Sequence, residues 1–317
     1  MTAQARPTAG ASATLAVDLC GVRLPNPVLA ASGCYGFGRE MTPFVDLADI
    51  GAVVTKSVSL EPRRGRPTPR MAETPAGMLN AIGLQNPGVE GFCAGELPLL
   101  ADARARVVAS IVGRTAAEFG RVAERLDREA AVHLLEANLS CPNVDHRGEV
   151  FAADPAAAAA VVRAVKQACA KPLLAKLTAD VTDVVAVARA VVDAGADGLT
   201  LINTLLGMAV DVRRRRPKLA AVTGGLSGPA IRPVAVRCVW QVASALPGVP
   251  IVGTGGITSG EDAAEFLLVG ATAVATGTAN FVHPTAVVDV AAGLERYLAD
   301  QGLGSPAELA ASFKAER

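Results

Sequence analysis

The hydrophobic positions of the chain fall into eight short apolar runs that alternate with longer helical patterns. The runs predict buried β-strands at Val28–Ala31, Ala52–Ser57, Val107–Val112, Val132–Leu139, Leu173–Leu177, Gly198–Ile202, Ile251–Thr254 and Ala273–Thr276. The stretches between them predict helices at about 40–49, 115–130, 155–170, 182–195, 229–246, 259–269 and 285–301. Strands of this buried type, interleaved with helices, are typical of a parallel β/α fold.

A closed barrel explains eight such strands better than an open doubly wound sheet does. An open dinucleotide-binding sheet should carry a GxGxxG turn after its first strand and an acidic residue about 20 residues later. The glycines of residues 31–38 are spaced differently and lack that acidic residue. We therefore predict a (β/α)8 TIM barrel. Residues 15–24 predict an N-terminal β-hairpin that covers the bottom of this barrel.

Two connections, 58–101 and 203–228, are too long to be simple loops. Both follow the C-terminal ends of predicted strands, which is the face where the active sites of barrels lie. We therefore expect long loops over that face. The barrel domain should span residues 14–305, between a flexible N-terminal tail at 1–13 and a C-terminal tail at 306–317.

Composition gives little support for several classes of partner. The chain has 317 residues with 51% apolar and 19% charged side chains, and 30 basic residues balance 30 acidic ones. A net charge of zero gives no support for a nucleic-acid or membrane-surface partner. Six scattered cysteines without a CxxC pair indicate reduced thiols and no metal site. We expect a cytoplasmic protein without a signal peptide or a membrane span.

Polar side chains and glycines gather at the ends of the predicted strands. Because the C-terminal ends of parallel strands share one face, we expect these residues to converge on a site. A single strand-end Asn or Ser is more often a loop-capping residue, but the set as a whole is harder to explain in that way. Its members are Ser32, Lys56, Ser57, Asn138, Cys141, Asn143, Lys176, Asn203, Thr204, Gly255, Gly256, Gly277 and Thr278.

The glycine turns and the lysines of this set both indicate a bound anion. Glycines after the seventh and eighth strands offer backbone N–H groups and close approach, which suit a phosphate. Lys56 and Lys176 lie in apolar strands, where a lysine needs an anionic partner or a lowered pKa. The sequence shows no matched acid beside either lysine, so a ligand anion is attractive. The alternative is a lysine that reaches water at the strand end.

Cys141 is the candidate for proton transfer. A free cysteine is more often an inert buried residue. Cys141 differs because it follows an amide-rich strand end and precedes a proline in a polar loop. A thiol there could act as a general base if its surroundings favour the thiolate.

Longer motifs at these positions resemble a known family. The segments are Thr55–Ser57, Glu73–Gly88 (ETPAGMLNAIGLQNPG), Asn138–Val144 (NLSCPNV), Leu199–Thr204 (LTLINT), Thr223–Ala230 (TGGLSGPA) and Gly277–Phe281 (GTANF). From about residue 15 to 303 the chain resembles the class 1 dihydroorotate dehydrogenases, and specifically the catalytic subunit of the class 1B enzymes. The resemblance implies FMN in the mouth of the barrel and oxidation of dihydroorotate to orotate in pyrimidine biosynthesis.

The resemblance also implies roles for individual residues. Cys141 would remove the C5 proton while hydride passes from C6 to FMN. The residues that match the family's substrate set are Lys56, Asn80, Ala81, Ile82, Gly83, Leu84, Asn138, Asn143, Asn203 and Thr204. Those that match its FMN set are Ser32, Lys56, Ser57, Ser110, Asn138, Lys176, Ile202, Gly228, Gly255, Gly256, Gly277 and Thr278, with Ser110 standing where the family usually has Asn.

A class 1B enzyme further implies a partner. A second subunit of that family carries FAD and a [2Fe–2S] cluster and passes electrons to NAD⁺. We expect a homodimer or a heterotetramer with such a subunit. Two other functions stay open: a flavin-dependent dehydrogenase of another dihydropyrimidine such as dihydrouracil, and a barrel that binds a ligand without catalysis.

Overall fold

A closed barrel of eight parallel strands forms the centre of the protein in the computed structural model, which describes residues 14–139 and 151–314. The strands follow one another around the barrel in chain order, and the last pairs with the first through Val274 and Val28. The predicted (β/α)8 barrel is therefore confirmed. Its strands are Val28–Ala30, Val53–Val54, Val107–Ile111, Leu134–Asn138, Leu173–Leu177, Gly198–Leu201, Ile251–Thr254 and Ala273–Thr276.

Helices between the strands cover the outside of the barrel and bury their apolar faces on it. Six predicted helices are confirmed to within three residues at each end, because their apolar residues recur at the helical period. They are Ala116–Asp127, Pro155–Ala168, Val184–Asp193, Arg232–Ala245, Gly260–Leu268 and Ala286–Asp300. Short helices lie at Gly88–Gly91, Phe92–Glu96 (a π-helix), Leu97–Asp102, Ala279–Val282 and Pro306–Ala311, with 3₁₀ turns at Arg39–Met41, Phe151–Ala153 and Pro229–Ile231.

The helix predicted at about 40–49 is wrong. Only a 3₁₀ turn at Arg39–Met41 forms there, and the chain then continues in tight turns. Pro43 lacks the N–H that a helix would use, and the side chain of Asp46 accepts a hydrogen bond from the N–H of Ala48 at 2.9 Å. Val45 and Leu47 are nevertheless buried while Phe44 is exposed, so the apolar pattern alone did not distinguish turns from a helix here.

The predicted N-terminal hairpin closes the lower end of the barrel. Its strands, Val17–Leu19 and Val22–Leu24, pair antiparallel across the turn. Leu19 and Leu24 are fully buried against the lowest inward-facing side chains of the barrel. A leucine buried in this way contributes about 1.5–3 kcal/mol, so the hairpin acts as an apolar plug.

A four-stranded antiparallel sheet lies over the opposite, C-terminal face. Both long connections build it: residues 58–101 supply Met71–Thr74 and Gly77–Asn80, and residues 203–228 supply Leu205–Met208 and Thr223–Ser227. The two connections pair directly, since Asn80 lies opposite Gly225. The expected long loops over this face are confirmed. A smaller antiparallel pair is formed by Val210–Asp211 and Arg216–Pro217.

The segment expected to be a C-terminal tail begins with a helix. Ser305 caps the helix Pro306–Ala311 by accepting a hydrogen bond from the N–H of Glu308 at 3.2 Å. Leu309 is buried, and the helix packs against the outer helix Gly260–Leu268. Across the two described ranges, no helix has the length and hydropathy that crossing a membrane requires.

Candidate active site

The interior of the barrel changes from apolar at its lower end, near the hairpin, to polar at its upper end, where the strands have their C-terminal ends. On the fourth strand Leu134, Glu136 and Asn138 all point inward, because side chains alternate along a strand. Asn138 lies opposite Lys176 on the fifth strand, and Lys176 lies opposite Thr200 on the sixth. Three neighbouring strands therefore present polar side chains at the same level, above the apolar plug.

A cavity of about 400 Å³ opens above this polar level and below the antiparallel sheet. That volume suits a drug-sized or cofactor-sized ligand. The lining includes most of the predicted site residues: Ser32, Lys56, Ser57, Asn80, Ile82, Leu84, Asn138, Lys176, Asn203 and Thr204. A smaller adjoining space of about 60 Å³ is lined by six more of them, namely Ile202, Gly228, Gly255, Gly256, Gly277 and Thr278.

Three predicted residues line neither space. Ala81 is fully buried against Leu79 and Leu219. Gly83 turns the chain with a φ of +77°, close to Arg66. The side chain of Ser110 is fully buried behind Ser57.

Two further predicted residues, Cys141 and Asn143, lie outside the described residues. The catalytic role of Cys141 and the substrate contact of Asn143 thus remain predictions from the sequence.

A chain of hydrogen bonds orients the two amides at the cavity floor. Asn203 donates from Nδ2 to Oδ1 of Asn138 at 3.3 Å, and Asn138 donates from Nδ2 to Oγ of Ser57 at 3.0 Å. The hydroxyls of Ser57 and Ser110 lie 2.9 Å apart. These hydrogen bonds fix the orientation of both amides, so the donor and acceptor atoms that remain for a ligand are also fixed. Ser110 therefore acts on the cavity through Ser57.

Lys176 has a buried acidic partner that the sequence did not reveal. Its Nζ lies 3.6 Å from Oε1 of Glu136, whose other oxygen accepts a hydrogen bond from Oγ1 of Thr200 at 2.9 Å. The expectation that no acid is matched to Lys176 is therefore wrong. At 3.6 Å the contact is an ion pair without a hydrogen bond, so Oε1 still lacks a hydrogen-bond partner. An acid inside an apolar strand, two residues before Asn138, was the available signal.

Lys56 differs, since within the described ranges it makes no ion pair. Burial and the nearby Arg70 guanidinium lower the pKa of Lys56, while Cys34 and Glu40 act in the opposite direction. A cation held in this way is available to an anionic ligand in the cavity.

The cavity also contains residues that the sequence reasoning missed. Arg70 and Gln85 come from the first long connection, and Ser227 from the second. Cys34 lies beside the predicted Ser32, and burial raises the pKa of its thiol to about 11, although the two lysines lower it. That thiol is therefore protonated at neutral pH. Met71, Met78 and Phe281 add apolar walls that no local motif announced.

The smaller space has the geometry of an anion cradle. Gly228, Gly255 and Gly256 have φ values of +98°, +136° and +77°, a region that favours glycine. A Cβ at Gly256 would lie 2.8 Å from the carbonyl oxygen of Gly228, and one at Gly228 would lie 2.6 Å from Cα of Gly77. Bare backbone in the connection after the sixth strand and in the turns after the seventh and eighth strands suits a phosphate group.

Comparison with known proteins identifies the family. The sequence profile described as "Dihydroorotate dehydrogenase" matches residues 14–298. The chain is 54% identical over 300 residues to "Dihydroorotate dehydrogenase B (NAD(+)), catalytic subunit" of Geotalea daltonii, covering 95% of this chain and 98% of the relative. Proteins of the same name from Pelobacter propionicus and Geobacter sulfurreducens are 53% and 52% identical, covering 95% and 93% of this chain and 98% and 96% of the relatives. The chain therefore belongs to the dihydroorotate dehydrogenase family.

Proposed function

We propose that this protein uses bound FMN to oxidise dihydroorotate to orotate in pyrimidine biosynthesis. One observation carries the proposal: a glycine-lined anion cradle adjoins a polar chamber with two lysines and four side-chain amides. This pairing suits a phosphorylated, planar cofactor with an anionic substrate beside it. The family membership of the chain gives the same reaction.

The residues present fit FMN at both ends of the site. The phosphate would lie on the backbone of Gly228, Gly255, Gly256, Gly277 and Thr278, where a Cβ at Gly256 would crowd the chain. Ser57, Asn138 and Lys176, which line the main cavity, would hold the ring system. When bound, FMN supplies a two-electron acceptor for the hydride that leaves C6 of the substrate.

The substrate would occupy the part of the cavity below the antiparallel sheet. Amides complement the imide edges of a pyrimidine, and Asn80, Asn138 and Asn203 line this region. The ammonium group of Lys56 would bind the substrate carboxylate. Thr204, Asn143 and the chain from Asn80 to Leu84 complete the proposed set.

Proton transfer is assigned to Cys141. The thiolate would take the C5 proton of dihydroorotate as the C6 hydride departs, which leaves the C5–C6 double bond of orotate. The two hydrogens therefore leave as a proton and a hydride to different acceptors.

A second subunit would carry the electrons onward. The relatives are named as catalytic subunits of an NAD(+) enzyme, which implies a separate electron-transfer subunit in those proteins. We propose an equivalent partner with FAD and a [2Fe–2S] cluster, in a cytoplasmic complex built on a homodimer or a heterotetramer. In the described part of the chain no group of Cys, His, Asp and Glu could hold a metal ion.

Anaerobic reduction of the purified protein tests the reaction. Dihydroorotate should bleach the visible absorbance of the bound flavin, and dihydrouracil at the same concentration should leave it unchanged. If dihydrouracil bleaches the flavin and dihydroorotate does not, the substrate is dihydrouracil and the proposed substrate is wrong. A colourless protein that takes up no added FMN would indicate a barrel that binds without catalysis.

A further inference from the structure

One buried charged group has no part in the mechanism above. Glu136 is 1% exposed, and its side chain lies inside the barrel between the apolar level of Leu134 and the polar level of Asn138. A carboxylate in such a place needs both a counter-charge and hydrogen bonds. Glu136 does not line the cavity, so a ligand there would meet it only through another residue.

That other residue is Lys176. Its Nζ lies 3.6 Å from the carboxylate, and the same side chain lines both the main cavity and the anion cradle. Thr200 lies opposite Lys176 on the neighbouring strand and fixes the second carboxylate oxygen at 2.9 Å. One carboxylate oxygen thus accepts a hydrogen bond from the hydroxyl of Thr200, and the other forms an ion pair with the ammonium group of Lys176.

We propose that Glu136 is a positioning residue that sets the charge which Lys176 presents to the flavin. The inference rests on the proposed function, because it requires FMN in the cavity. Lys176 would face the flavin as half of an ion pair. A lone ammonium in the same place would favour the anionic, reduced flavin more strongly, because opposite charges attract most where water is excluded. Glu136 therefore keeps the reduced flavin ready to give up its electrons.

The test is the relative affinity for the two flavin states in Glu136→Gln at pH 7. We expect the ratio of reduced to oxidised FMN affinity to rise at least tenfold over the wild type, which corresponds to about 30 mV for a two-electron couple. Dye-equilibrated reduction of the bound flavin gives the potential, and titration gives the affinity for oxidised FMN. A residue with only a structural role would change stability and leave this ratio alone.

Two variants separate this role from a general loss of charge. Asp197→Asn removes a carboxylate from another lysine, Lys166, at 2.8 Å near the lower end of the barrel, and should change the ratio less than twofold. Glu136→Gln in a Lys176→Gln background should also change it less than twofold, because the lysine carries the effect.

Glu136→Asp retains the negative charge, but the shorter side chain holds the carboxylate farther from Lys176. The ratio should rise at least twofold in this variant, which decides the question should Glu136→Gln not fold. A ratio that is unchanged, or that falls, in the folded variants would overturn the inference. If the wild type binds FMN and is reduced by dihydroorotate, an unchanged or lower ratio in the variants overturns this inference and leaves the proposed function standing. A wild type that binds no FMN would overturn the proposed function and this inference together.

Discussion

The lower and upper halves of the barrel interior use the same strands for different purposes. The lower half holds Leu29, Val108, Leu134 and Leu174, all fully buried and closed from below by the hairpin. Two positions higher on three of these strands, Ser110, Glu136 and Lys176 take their place. The difference shows that height within one strand separates residues that stabilise the fold from residues that prepare a site.

Energies support this division. Each apolar side chain of the lower half contributes about 1.5–3 kcal/mol by leaving water. A hydrogen bond in the upper half adds only about 0.5–1.5 kcal/mol, and a buried ion pair such as Lys176–Glu136 roughly balances its desolvation. The polar network therefore adds little to stability, and a bound ligand explains its presence better.

The largest effect on function should come from Cys141→Ser. Loss of the base should slow flavin reduction by dihydroorotate about 100- to 10,000-fold while FMN stays bound, because general base catalysis contributes that much. Stopped-flow absorbance measures the rate directly. Cys238→Ala is the matched control, since Cys238 is buried on an outer helix and should leave the rate unchanged. A Cys141→Ser enzyme of normal rate would remove this residue from its role.

A smaller effect is expected from Gly256→Ala in the anion cradle. The added Cβ would lie 2.8 Å from the carbonyl oxygen of Gly228, so the turn must open and FMN affinity should fall about tenfold or more. Gly248→Ala imposes a similar backbone strain at φ +85° with no atom within 4 Å. It should cost about 1 kcal/mol of stability and leave FMN affinity unchanged. Equal affinities in the two variants would argue against the cradle.

The smallest of these effects concerns pH and Lys56. Burial and Arg70 lower its pKa below the ordinary 10.5, so the ammonium loses its proton at a lower pH than a free lysine. The KM for dihydroorotate should then rise about tenfold as pH increases toward 10.5, since the substrate carboxylate loses a charged partner. In Lys56→Gln the KM should already be high and should not follow this titration. The same pH profile in both enzymes would exclude Lys56 as the carboxylate ligand.

The strand pattern was predictable because barrel strands are buried on both faces and read as apolar runs. The polar strand ends were predictable for a related reason: topology places them on one face, as the shared cavity of Lys56, Asn138 and Asn203 confirms. The hairpin was equally visible, since its leucines alternate with polar residues around the turn at Cys20 and Gly21.

Contacts between distant segments were not predictable. The pairing of Asn80 with Gly225 joins connections that are far apart in the chain, and nothing local specifies it. The ion pair of Lys176 with Glu136 depends on two strands lying side by side in register. The helix predicted at 40–49 was wrong for a local reason: the turns there bury apolar residues without forming a helix.

The most direct test of this division compares two substitutions on one strand. Leu134→Ala should reduce the free energy of unfolding by about 2–5 kcal/mol and leave the folded enzyme's rate of flavin reduction by dihydroorotate within twofold of the wild type. Asn138→Ala, at the C-terminal end of the same strand, should reduce the free energy of unfolding by about 1 kcal/mol and slow that rate about 100-fold. Parallel losses of stability and rate in both variants would contradict the account.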